Sequence, residues 1–103
     1  MLMLPKTPVV RDRKYLDWIR EQPCVLSGQT PSDPAHIRIG GGGGMGMKPS
    51  DDRVLPLAHH LHAEQHQVGE LTFWRDAFVM NDRLMIEAII ALAEKRYRQW
   101  QSR

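Results

Sequence analysis

The chain contains a single cysteine, Cys24, among 103 residues, so no disulfide can form within it and the thiol is either core or ligand. That excludes a disulfide-stapled scaffold and points to a reducing compartment. Long apolar runs are also missing. No stretch approaches the roughly 20 apolar residues of a membrane helix. The opening Met1-Leu2-Met3-Leu4-Pro5 has no basic flank and is too short for a signal peptide. The expectation is a soluble, cytoplasmic protein with no membrane partner. Charge of one sign is scarce: 14 Lys and Arg against 12 Asp and Glu leave +2, although the pI is near 9.0. This balance is compatible with nucleic acid without establishing it, because basic residues have to be clustered to bind phosphate. Histidine is absent from both ends, and all five fall between positions 36 and 66.

What is present is therefore concentrated. Asp33-Pro34-Ala35-His36 and Ala58-His59-His60-Leu61-His62-Ala63-Glu64-Gln65-His66 join one carboxylate to every histidine. His62 and His66 are four apart, so on a helix they stand one turn above each other and can share a metal ion. His59 borders that face, whereas His60 points away. Two histidines alone are as often a polar helix face as a metal site. Asp33 and His36 upstream offer a third ligand and a base.

Along the chain, residues 1–10 carry two prolines and no periodic pattern, which predicts an extended or disordered arm. From Arg11 to Glu21, Tyr15, Trp18 and Ile19 follow helical spacing, and Pro23 ends the segment. Its charged outer face reads as solvated more readily than as a binding patch. Cys24-Val25-Leu26-Ser27-Gly28 predicts a short strand entering a turn, and Gln29 to Pro34 has loop chemistry. Ala35 to Ile39 alternates as a strand, with His36 and Arg38 on one side and Ala35, Ile37 and Ile39 on the other.

Gly40 to Gly44 with Met45-Gly46 match neither the P-loop nor the dinucleotide fingerprint, so a hairpin loop is favoured over a phosphate cradle. Ser50, Asp51 and Asp52 read as a turn in preference to a cation site. Val54 to Leu57 predicts a second strand, with Pro56 marking an edge. A histidine helix runs from about Ala58 to Gly69, a short helix from Leu71 to Met80, and a final helix from Asn81 or Asp82 to about Trp100. Leu84, Met85, Ala88, Ile89, Leu92 and Ala93 form the apolar stripe of the last helix, either core or dimer surface, so both monomer and homodimer stay open. Lys95, Arg96, Arg98 and Arg103 suit its C-terminal dipole.

A histidine-bearing strand, a loop, a second short strand and a ligand-bearing helix is the ββα-metal arrangement of the HNH endonucleases. Pro23-Cys24, Asp33-Pro34-Ala35-His36-Ile37, Gly44-Met45-Gly46, Lys48, Asp51 or Asp52, Val54-Leu55-Pro56-Leu57, and His62 with His66 resemble the phage-associated Ref-like recombination nucleases within that superfamily. The likeness covers about residues 23–69. It implies an α+β fold: one HNH-like domain over 11–103, with a ββα-metal core, an N-terminal helix, and further C-terminal helices over about 70–101. It implies a metal-dependent endonuclease acting on nucleic acid, DNA foremost, with a recombination or phage protein as a further partner. His36 would be the general base, and Asp33, His62 and His66 would hold one divalent ion. Arg38 is a candidate for holding the phosphate beside His36, and Lys48 a weaker one; for both, plain surface charge is the competing reading. The donor set suits manganese, nickel or zinc, and magnesium less naturally.

The chain departs from that pattern twice. Ala35 stands where many family members carry a ligand directly before the base, so Asp33 has to reach in from three residues upstream. The structural zinc positions would read Cys24, Ser27, Ala58 and Leu61, which argues against a four-ligand structural zinc and for apolar packing in its place. A binding module of the same fold without activity, and a metal-dependent hydrolase with no nucleic-acid substrate, are the alternatives.

Overall fold

The computed structural model describes residues 9–39, 49–78 and 80–103. The predicted arm up to residue 8, the glycine loop and Lys48 lie outside the described residues. The order is α1 (Arg13–Arg20), β1 (Asp33–His36), β2 (Val54–Leu57), α2 (His59–Val68), α3 (Glu70–Ala77) and α4 (Asp82–Gln101). The described residues form a small α+β arrangement of four helices and one two-stranded antiparallel sheet.

The register pairs Asp33 with Leu57, Pro34 with Pro56, Ala35 with Leu55 and His36 with Val54. Directly opposed residues share a face of the sheet, so the pairing divides the side chains between two apolar clusters. Ala35, Leu55 and Leu57 join Phe73, Trp74, Met85, Ile89 and Ala93 beneath α3 and α4. Val54 lies on the other face, with Tyr15 and Ile19 of α1 and with Tyr97 and Trp100 at the end of α4. All four residues of β2 are buried, as a strand covered on both faces requires. The two proline residues oppose one another, and a two-stranded sheet has only edge strands, where a missing N–H is tolerated.

Local chemistry sets the helix ends. The side chain of Asp12 caps α1 by accepting the Tyr15 N–H, and Asn81 caps α4 by accepting from Arg83 and Leu84. Gly69, at φ +96°, separates α2 from α3, a conformation that favours glycine.

Two expectations are revised. Cys24 to Ser27 is not a strand: the Gly28 N–H returns to the Cys24 carbonyl at 2.9 Å, and Gly28 takes φ +74°, closing a turn. The Val25 N–H still reaches the Pro56 carbonyl of β2 at 3.0 Å. The stripe on α4 is narrower than its spacing suggests. Met85, Ile89 and Ala93 are buried, while Leu84 and Leu92 are 57% and 46% exposed, because the sheet and α3 cover one side of the helix and leave the flank to solvent. The expected packing around Cys24 is present: Cys24 and Ala58 belong to the larger cluster, and Leu61 packs against it. No helix among the described residues is long and apolar enough to cross a membrane.

Candidate functional site

Asp33 opens β1 on the face shared with Leu57, and α2 begins two residues after Leu57. This short connection carries the helix histidines over the start of the strand. The Oδ2 atom of Asp33 accepts from Nδ1–H of His59 at 2.8 Å and of His62 at 3.1 Å. A carboxylate only accepts, so the proton on each of these rings sits at Nδ1 and the Nε2 of a neutral His62 is a bare lone pair. Burial works against the Asp33 charge, but the two histidine hydrogen bonds outweigh it and hold the carboxyl below its usual range.

The Nε2 atom of His62 faces the Nε2 atom of His66 at 3.1 Å, with the rings tilted and their centroids 4.7 Å apart. Two nitrogens bound at about 2.0–2.1 Å to a tetrahedral ion stand roughly 3.3 Å apart, so the pair fits a shared metal. Among the described residues no group of three or more His, Cys, Asp or Glu side chains is arranged to hold an ion. Asp33 lies against Nδ1 of His62, on the ring edge away from His66. That is the place of a carboxylate that orients a ligand and raises its basicity, not of a third ligand beside it. His62 is mostly covered and His59 is 88% exposed at its side chain, so the first is held in place and the second is an accessible flank.

His36, at the other end of β1, belongs to the opposite face. Its Nε2 lies 2.9 Å from Oδ1 of Asp51. The β1 backbone advances about 10 Å between Asp33 and His36, and the structure brings His36 to Asp51 rather than to the α2 histidines. An odd separation in a strand always puts the two side chains on opposite faces, and a ligand directly before the base would have the same parity. Arg38, two residues beyond His36, is exposed. Its backbone N–H donates to Oε1 of Glu70 at 2.8 Å, and the Ile39 N–H reaches the same oxygen at 3.5 Å.

Three residues take contacts that the sequence reading did not give them. Asp51 was assigned to the turn, and Ser50, Asp52 and Arg53 do form one, with Ser50 Oγ bonded to Asp52 Oδ1 and the Arg53 N–H to the Ser50 carbonyl. Yet Asp51 itself is only 7% exposed and turns inward. No local signal marked it: Asp51 lies in the turn before β2, and only the paired hairpin brings that turn beside His36. His59 was placed at the border of the metal face, but the first turn of α2 puts it on Asp33. Glu70 carried no motif. Burial raises its carboxyl above the usual range against the opposing effect of the two backbone N–H donors.

Around Cys24, the Ser27 N–H lies 3.4 Å from Sγ. Burial raises the thiol, but the Ser27 side chain and the backbone N–H groups of Ala58, Ser27 and Leu26 outweigh it and hold it below the ordinary thiol range.

Comparison with known proteins returns a family model described as "Protein of unknown function (DUF968)", matching residues 1–88. The chain is also similar to the uncharacterized protein YdfU of Escherichia coli (strain K12), at 42% identity over 65 residues. That match covers 63% of this chain and 19% of YdfU, so the chain spans about a fifth of that relative's length. No solved structure matches.

Proposed function

Because this chain belongs to the DUF968 family, whose description names no activity, we propose its function from the site: a metal-dependent nuclease of the HNH type that hydrolyses phosphodiester bonds of nucleic acid, DNA foremost. The observation that carries the proposal is the pair of facing Nε2 atoms on His62 and His66, 3.1 Å apart, with Asp33 fixed behind the first. An antiparallel hairpin leading directly into the ligand-bearing helix, as a ββα-metal core would, supports the same reading.

His62 and His66 are the residues that would hold a divalent ion. When bound, it neutralises charge on the scissile phosphate and stabilises the leaving oxygen. Asp33 keeps the His62 ring in the tautomer that presents Nε2. In this reading His36, at the other end of β1 from the His62–His66 pair, is the residue that takes the proton of the attacking water as the new oxygen–phosphorus bond forms and the bond to the departing sugar oxygen breaks. Exposed Arg38, two residues beyond the end of β1 at His36, holds a non-bridging phosphate oxygen. Lys48 is the second candidate for that contact.

The test is nicking of supercoiled plasmid in manganese by the native chain, by His36→Ala, and by the native chain with chelator. Nicking should require the metal and fall about 10²–10⁴-fold in the variant, the usual worth of general acid–base help. Absence of cleavage together with DNA binding that weakens steeply with salt would replace the enzyme by a nucleic-acid-binding module.

A further inference from the structure

We infer that Asp51 is the positioning residue for His36, holding its Nε2–H so that Nδ1 is left as the basic atom. The inference rests on the reading of His36 as the base and deepens it. Oδ1 of Asp51 lies 2.9 Å from Nε2 of His36, while Oδ2 accepts the backbone N–H of Asp12 at 2.8 Å. The Asp51 N–H is itself spent on the Val10 carbonyl at 2.9 Å. Both oxygens and the backbone of this buried residue are therefore committed, and the carboxylate has little freedom to turn away from the ring. A carboxylate can only accept, so the ring proton has to sit at Nε2. His36 retains partial exposure, 26% at its side chain, which leaves a route for a water to its other nitrogen.

The support behind Asp51 is built from three parts of the chain. The Val10 N–H donates to Ser50 Oγ at 2.9 Å, and the Arg11 guanidinium donates to the Pro49 carbonyl at 2.7 Å. The segment before α1 is thus laced to the turn before β2. Asp12, which gives its N–H to Asp51, caps α1 with one oxygen and accepts the Tyr97 hydroxyl of α4 with the other at 3.1 Å. A carboxylate held this way, set against an imidazole whose other nitrogen has no hydrogen-bond partner among the described residues, is the arrangement by which a base is kept in one tautomer and one orientation.

Asp51→Asn is the informative change, because it keeps the shape and can still accept the Asp12 N–H while presenting an amide that donates toward His36. The His36 proton then has to move to Nδ1, and the lone pair that would receive the water's proton is lost. Nitrogen chemical shifts of His36 in the metal-free protein report this directly, and in the native chain the reading requires no variant to fold.

The expected result is an Nε2–H tautomer in the native protein, its conversion to Nδ1–H in Asp51→Asn with an otherwise unchanged amide spectrum, and a fall in manganese-dependent nicking of about 10²–10⁴-fold. A native His36 protonated at Nδ1, or an Asp51→Asn protein with the native tautomer and native nicking, would overturn the assignment. If the tautomer switches as described but the native chain cleaves nothing, the ring-holding role of Asp51 stands and the nuclease reading fails.

Discussion

The Nε2 atoms of His62 and His66 face one another at 3.1 Å, so one ring has to donate to the other whenever no cation lies between them. Asp33 decides which. By accepting from Nδ1 of His62 at 3.1 Å, it leaves His62 the acceptor and His66 the donor. A divalent ion held by this pair would take both lone pairs, and the His66 proton would first have to leave Nε2.

Asp33→Asn should therefore weaken divalent binding about 10–100-fold, the usual effect of losing an orienting carboxylate. His62→Ala and His66→Ala should remove measurable binding. Calorimetric titration of the metal-free protein with zinc or manganese distinguishes the roles. An Asp33→Asn loss as complete as that of His66→Ala would make Asp33 a direct ligand.

Glu70 gives the pH dependence a definite sign. Its carboxyl is raised chiefly by burial, so the folded chain prefers it protonated. The stability this contributes is fully present below the ordinary carboxylate range and is lost as pH rises through the raised value. Glu70→Gln can still accept the Arg38 and Ile39 N–H groups. Urea unfolding at pH 4 and pH 7 should show the variant gaining on the native chain at the higher pH. A difference that is the same at both values would mean the carboxyl is not desolvated.

How much of this was legible in the sequence follows from the range of each interaction. The histidine helix, both later helices and β2 were readable because caps, periodicity and Gly69 act within a few residues. The strand expected over Ala35 to Ile39 was readable only in part: β1 runs from Asp33 to His36, so it starts two residues earlier and leaves Ile37, Arg38 and Ile39 outside it. Cys24 to Ser27 misled because an apolar stretch of that length looks the same in a strand and in a turn closed by Gly28. Pairings across long separations left no local trace: Asp51 with His36, Glu70 with the Arg38 backbone, and Tyr97 with Asp12 are 15, 32 and 85 residues apart. The partner of Asp33 was visible as chemistry, but its place behind His62 required the fold.

The α4 stripe separates into core and flank by stability. Ile89, fully buried between the sheet and α3, should cost about 2–5 kcal/mol on change to Ala. Leu92→Gln, on the exposed flank, should stay within about 0.5 kcal/mol. Denaturant midpoints of the two variants provide the comparison. A Leu92→Gln loss comparable to that of Ile89→Ala, growing with protein concentration, would identify that flank as a dimer surface.

Tyr15 is fully buried among Trp18, Tyr97 and Trp100, with ring centroids 5.8, 4.7 and 5.3 Å away. Among the described residues its hydroxyl has no hydrogen-bond partner. Burial, opposed by the charge of Arg96, raises that hydroxyl far above its ordinary value, so it remains neutral at every working pH and contributes no titration. What it does contribute is the desolvation penalty of an unmatched polar group, about 1–3 kcal/mol. The aromatic packing, by contrast, is independent of the oxygen and survives in phenylalanine. Tyr15→Phe should therefore leave the fold intact and raise the unfolding free energy by about 1 kcal/mol, seen as a higher urea midpoint at unchanged slope. A fall of that size would mean that the hydroxyl is satisfied by a buried water between α1 and the end of α4.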